Sequence, residues 1–151
     1  MYRKNFITMN TTALLNQLLS DYQIHYQNLR GFHWNIKGPK FFELHAKFEE
    51  LYNDAQLKID EIAERILTLK GRPLHSFSDY TEHANLKEVK NVSEAQQCMQ
   101  CIVENMSYLV TLQNQILEQA ASVDDKGTED MMTQYIAFHE KTLWMFNAWL
   151  G

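Results

Sequence analysis

Residues 31–52, GFHWNIKGPKFFELHAKFEELY, decide how this chain folds. Apolar residues recur every three or four positions on either side of Gly38 and Pro39, so the pair reads as a tight break between two helices. Two histidines, His33 and His45, flank that break twelve residues apart, each near residues that read as buried. Either they are ordinary core or interface histidines, or they are half of a metal site whose other half lies elsewhere.

Working outward, the first helix is expected over residues 12–35. It carries a stripe of Leu15, Leu18, Leu19, Tyr22, Tyr26 and Leu29, with Asn10, Thr11 and Thr12 as possible caps. His33 continues the stripe and should point inward. The second helix is expected over residues 41–70, with Phe41, Leu44, Phe48, Leu51, Ala55, Ile62 and Ile66 on its core side and Gly71 and Pro73 closing it. A connection over residues 71–91 comes next, with room for a short helix near 81–89.

Ser93 with Gln96 fits a capping box for the third long helix, whose buried side is Cys98, Ile102, Leu109, Leu112 and Ile116. A turn at 124–127 leads to a last helix capped by Thr128 and striped by Met132, Tyr135, His139, Leu143, Phe146 and Leu150. Four long helices with two tight connections and one long one make an all-α, ferritin-like four-helix bundle, with the crossover between the second and third helices. The expected organisation is a short tail over residues 1–10 and one domain over 11–151.

Composition agrees with one helical domain. Of 151 residues only 5 are Gly and 2 Pro, and 45% are hydrophobic. A net charge of -5 and a pI near 5.6 argue against a surface built to hold phosphate backbones. The only terminal basic cluster is Arg3 and Lys4. No apolar run approaches the roughly 20 residues a membrane span needs, and no secretion signal is evident, so a soluble, cytoplasmic protein is expected. Cys98 and Cys101, three apart in a helical pattern without a second pair, read as small core residues.

A di-iron bundle carries Glu-x-x-His pairs, because residues three apart on a helix share a face. None of His25, His33, His45, His75, His83 and His139 has a glutamate three positions earlier, so a site inside one bundle is not expected. A different pair stands in KIDEIAERIL: Asp60 and Glu64, four apart, project from one face and could chelate a cation. His45 lies on the same side of that helix, but fifteen residues at about 1.5 Å each put it roughly 22 Å away. Either these residues are unrelated, or a second copy brings them together. Antiparallel pairing of two second helices about a two-fold axis near residues 52–54 would face His45 of one copy with Asp60 and Glu64 of the other, making two equivalent sites. His33 could join His45 from the same chain.

These motifs, His-Trp, a second His twelve residues on, then Asp and Glu four apart, resemble the Dps family of mini-ferritins (DNA-binding proteins from starved cells). The likeness runs nearly to HEKTLWMFNAWL at the C-terminal end. The resemblance implies a ferroxidase centre between two-fold-related subunits of a hollow homododecamer, with His33 and His45 as iron ligands from one subunit and Asp60 and Glu64 from its partner. It implies iron storage and detoxification: Fe(II) is oxidised, preferably by hydrogen peroxide, and deposited as ferric mineral, protecting the cell from oxidative stress. Trp34, beside the centre, reads as an interface aromatic, and the family adds an electron-donor role. The donor set suits iron, since carboxylates stabilise Fe(III) and imidazoles hold Fe(II).

Other residues have two readings each. Glu49, four after His45, either supports the site from behind or is a solvated carboxylate. Asp124, Asp125, Glu129 and Asp130 suit a helix N-terminus, while in the family this region lines acidic pores that admit Fe(II). His25 reads as a surface partner of Asp21, His139 as a hydrogen-bonded core histidine, and Trp144 and Trp149 as packing. The alternative functions are a DNA-compacting protein, for which the tail is meagre, and a helical oligomer without catalysis.

Overall fold

The structure, a computed structural model, describes residues 10–151; the Arg3–Lys4 cluster lies outside them. Five helices and no strands occur among the described residues: α1 (Thr11–Asn35), α2 (Phe41–Thr68), α3 (Phe77–His83), α4 (Ala95–Ser122) and α5 (Lys126–Leu150). α1 packs on α2, α4 packs on α5, and α1 touches both α4 and α3. This is the all-α, four-helix ferritin-like bundle with its crossover between the second and third long helices. No helix of the described residues is long and apolar enough to cross a membrane.

Most of the stripe residues read from the sequence form the core, with Tyr26, Phe41, Leu143 and Leu150 partly buried against it. Leu15, Leu18, Leu19, Tyr22, Leu29, Phe48, Ile62, Ile66, Cys98, Ile102, Leu109 and Ile116 are buried. Each large aliphatic among them contributes about 1.5–3 kcal/mol by leaving water.

α2 starts at Phe41 as expected, whereas the other long helices start a residue or more from expectation, for identifiable reasons. Asn10 caps α1 by accepting from the Ala13 amide. At α4 the cap is Glu94, not Ser93: its two carboxylate oxygens take the Gln96 and Gln97 amides, putting negative charge on the positive end of the helix. The Ser93 carbonyl instead accepts from the Lys37 amide. At α5 the cap is Asp125, not Thr128. Asp125 accepts from the amide and hydroxyl of Thr128, and Thr128 is buried one turn inside. α2 ends at Thr68 rather than residue 70; Lys70 adopts a left-handed φ of 64° and the Gly71 amide returns to the Ile66 carbonyl at 2.8 Å. A side chain at Gly71 would meet Thr12 and Ile66 at 2.9–3.0 Å, so glycine lets the end of α2 lie against the start of α1.

The crossover helix stands earlier than residues 81–89, at 77–83, because Ser76 caps the Asp79 amide. On both sides of it the connection is irregular chain stitched to α1 by side chains. Asn16 exchanges hydrogen bonds with the Arg72 carbonyl and Leu74 amide, and Asn28 with the Lys87 carbonyl and Val89 amide. Between them Asp21, fully buried, accepts from the Asn85 and Leu86 amides, the Tyr108 hydroxyl and the Gln17 amide. Asp21 is therefore no surface partner of His25, which is itself buried against Tyr22. The four-residue spacing that suggested a surface pair could not show that the long connection lies over Asp21.

His139 is a hydrogen-bonded core histidine, as expected. Its Nδ1 faces Gln113 Oε1, the Tyr22 hydroxyl faces its Nε2, and Gln113 donates to Tyr22 Oη, each at 3.2 Å. Trp149 packs against the core, whereas Trp144 is 69% exposed in the single chain.

Candidate metal centre

The α1–α2 turn brings the end of one helix beside the start of the next, so His33 and His45 meet. Their rings stack with centroids 3.7 Å apart and planes 15° from parallel. His33 Nδ1 lies 2.7 Å from the His45 main-chain oxygen, and His45 Nδ1 lies 2.7 Å from the His33 main-chain oxygen. A carbonyl oxygen only accepts, so both Nδ1 atoms carry protons, and Nε2 is left as the ring nitrogen that can offer a lone pair to a metal. Two imidazoles are thereby oriented and held in the tautomer that a metal requires.

Aromatic rings hold this pair in place. Phe41 stacks on His45 at 4.9 Å, Tyr52 meets His33 edge-on at 5.2 Å, and Tyr26 meets Tyr52 at 6.1 Å. Arg30 sits between Tyr26 and Trp34, 5.2 Å and 4.9 Å from their ring centroids. Trp34 is 56% exposed, beside the histidines rather than beneath them.

Asp60 and Glu64 are exposed on α2, and among the described residues neither carboxylate has a hydrogen-bond or ion-pair partner. Asp60 borders a hollow lined by Leu19, Gln23, Tyr26, Leu57, Ala63 and Tyr80. Because α2 is one unbroken helix, the roughly 22 Å between His45 and Asp60 stands. Among the described residues of one chain, no three His, Cys, Asp or Glu side chains gather closely enough to hold a metal ion. The chain thus presents a fixed imidazole pair at one end of a helical face and a free carboxylate pair at the other. Leu57, Leu67 and Phe42 are exposed on the same helix.

Glu49 is exposed, one turn beyond His45. Of the acidic residues near α5, Asp125 is committed inside the chain: it caps the helix and pairs with the Arg65 guanidinium at 2.6 Å. Asp124 is exposed with Lys126 3.4 Å away, and Asp130 is exposed with Gln134 as partner. Sequence reasoning missed the Arg65 pairing, for which no spacing rule exists, and the reciprocal His33–His45 lock, which depends on the turn.

The fold is that of a ferritin-like protein, and comparison with known proteins agrees. The family description "Ferritin-like domain" matches residues 12–151. A DNA protection during starvation protein of Porphyromonas gingivalis is 40% identical, over 89% of this chain and 85% of that one. The crystal structure of a Dps protein from Vibrio cholerae O1, described as belonging to a broad superfamily of ferritin-like diiron-carboxylate proteins, superposes with a TM-score of 0.92 at 52% identity, covering 93% of this chain and 89% of that one. A Listeria innocua Dps variant, with two histidines twelve positions apart replaced by glycine, superposes with a TM-score of 0.92 at 28% identity over 95% of each chain. The chain belongs to the Dps family of the ferritin-like diiron-carboxylate superfamily.

Proposed function

We propose that the chain is a ferroxidase and iron-storage protein that assembles as a hollow homododecamer in the cytoplasm, oxidising Fe(II) at sites shared by two-fold-related subunits. The observation that carries this reading is the split donor set. His33 and His45 present two Nε2 lone pairs, and Asp60 and Glu64 present two unpaired carboxylates on the same side of α2. Antiparallel pairing of two α2 helices unites them twice, and the exposed Leu57 and Leu67 supply apolar surface for the contact.

The substrate iron takes imidazole nitrogen in the ferrous state and carboxylate oxygen in the ferric state, so this mixed set serves both. Four protein donors leave positions for water and for the oxidant. With hydrogen peroxide, two Fe(II) ions each give one electron and the O–O bond is cleaved, with two protons taken up to yield two water molecules. No hydroxyl radical is released. Trp34, at the rim and in contact with Arg30, supplies an electron when only one iron is present. Glu49 steers cations toward His45, while Asp124 and Asp130, with Asp125 tied to Arg65, set the charge of the entry pores.

The relatives' name, DNA protection during starvation, is compatible with protection by removing Fe(II) and peroxide. A net charge of -5 disfavours direct phosphate binding. The test is Fe(II) oxidation kinetics by the wild type and Asp60→Ala, with particle size measured in parallel. Loss of the fast phase in an intact assembly supports the reading; equal rates overturn it.

A further inference from the structure

A line of aromatic rings leads away from the stacked histidines along α1 and α2. Tyr52 stands edge-on to His33, with centroids 5.2 Å apart and planes at 87°, and Tyr26 stands edge-on to Tyr52 at 6.1 Å and 77°. Tyr52 is partly buried against the core. On the other histidine the neighbouring ring is Phe41, stacked on His45 at 4.9 Å. A phenol gives up an electron far more readily than a benzene ring. Among the described residues, Tyr52 is therefore the readily oxidised ring in contact with this histidine pair.

Charge separates Tyr52 from the aromatic residues around it. The Arg30 guanidinium lies against Tyr26 and Trp34, 5.2 Å and 4.9 Å from their ring centroids. A cation over a ring is attracted to its electrons and makes removing one of them harder. Among the described residues no such cation lies over Tyr52. An oxidising equivalent that reaches Tyr52 through His33 is thus not drawn onward to Tyr26.

This matters whenever the centre is half filled. Two Fe(II) ions supply both electrons that hydrogen peroxide needs, but a single Fe(II) supplies one, and cleavage of the O–O bond by one electron releases hydroxyl radical. We propose that Tyr52 supplies the missing electron, as a second source beside Trp34, and that the oxidised state comes to rest on its ring. The proposal rests on the ferroxidase reading above. His33 links the two partners, since it offers Nε2 to the iron and its ring touches Tyr52. The step balances: Fe(II) and the phenol each give one electron and the O–O bond breaks. The phenol proton and one proton from solvent complete two water molecules, leaving Fe(III) and a neutral tyrosyl radical.

The experiment uses the full chain carrying Trp34→Phe, so that the indole takes no part, with and without Tyr52→Phe, which keeps the ring packing and removes only the hydroxyl. Each assembly receives less than one Fe(II) per proposed site, then hydrogen peroxide. Freeze-quenched electron paramagnetic resonance measures tyrosyl radical per Fe(III) formed, with ring-deuterated tyrosine to identify the signal by its narrowing. Spin trapping measures escaping hydroxyl radical. The parent should show the tyrosyl signal; Tyr52→Phe should lose it and release more hydroxyl radical per Fe(III), while Tyr80→Phe should keep it. A signal that survives Tyr52→Phe, or a parent that oxidises iron rapidly without one, overturns the proposal. A second measurement does not depend on how the variant folds. After repeated additions of iron and peroxide to the parent, peptide mass spectrometry should find oxygen added at Tyr52 ahead of Tyr80 and Tyr108, and the reverse order overturns the proposal. If even the wild type oxidises Fe(II) no faster than buffer, the ferroxidase reading falls first and the proposal falls with it.

Discussion

His33 and His45 hold each other: the Nδ1–H of each ring donates to the main-chain carbonyl of the other, both at 2.7 Å. Because each ring's orientation depends on its partner's backbone rather than on its partner's side chain, replacing one histidine leaves the other's hydrogen bond intact. His33→Ala should therefore lower the initial rate of Fe(II) oxidation at least ~10-fold. Loss of its one neutral hydrogen bond costs only about 1 kcal/mol. Stopped-flow kinetics beside a thermal melt separate the two effects.

Asp21 is expected to matter for stability and not for iron. Asp21→Ala strands the Asn85 and Leu86 amides and the Tyr108 hydroxyl, while Gln17 keeps its bond to the His83 carbonyl, and a stranded buried donor costs about 1–3 kcal/mol. A total on the order of 3 kcal/mol corresponds to a fall of roughly 10 °C in melting temperature for a chain of this size. Hydrogen exchange should show the amides of the crossover after His83 losing protection first.

Acid should destabilise the bundle through His25. Burial, with the nearby Lys58 charge second, pushes its pKa down to about 4, and burial pushes His139 down as well. Between the ordinary histidine pKa near 6.5 and about 4, the unfolded chain binds a proton at His25 that the folded chain refuses. Stability is thus fully present above the unfolded value and is lost as the pH falls toward 4, by on the order of 3 kcal/mol from His25 alone. Urea unfolding of the wild type and His25→Leu at several pH values measures it. The variant should have a shallower acid slope, and identical slopes would exclude His25.

At the start of α5, capping and pore charge can be separated. A methyl group on residue 127 would come within 2.5 Å of the Arg65 guanidinium, so Gly127→Ala breaks the Arg65–Asp125–Thr128 contact. Asp125→Ala removes the cap and should cost ~1 kcal/mol, whereas Asp130→Asn, on an exposed side chain, should change stability by less than about 0.5 kcal/mol. If Asp130 belongs to an entry pore, its neutralisation instead slows iron uptake, most visibly at low salt. Melting curves and uptake rates across ionic strength check both.

The four long helices were legible because each stripe repeats over about five to seven turns, and burial of Leu15, Phe48, Ile102 or Phe146 follows from that period alone. Local competition decided the rest. Glu94 displaced Ser93 as a cap because a charged acceptor at a helix N-terminus outweighs a hydroxyl, and Asp125 displaced Thr128 for the same reason. Asp21 read as a surface residue because the segment that covers it lies more than sixty residues away in sequence, and His25 was read outward with it although it packs on Tyr22 in the core. At the candidate centre the residue types and their spacing were readable. The stacked, reciprocally bonded geometry of the two histidines was not, since it arises only when the Gly38–Pro39 turn sets one helix end against another.

The most direct test asks whether the donors of one site come from two chains. His45→Ala and Asp60→Ala chains, each inactive alone, are co-refolded and Fe(II) oxidation is measured. Random pairing puts half of the two-fold pairs in mixed form, and each mixed pair regains one of its two sites, so about one quarter of the wild-type rate should return. A mixture that assembles to full size yet stays as inactive as its components would contradict the shared site.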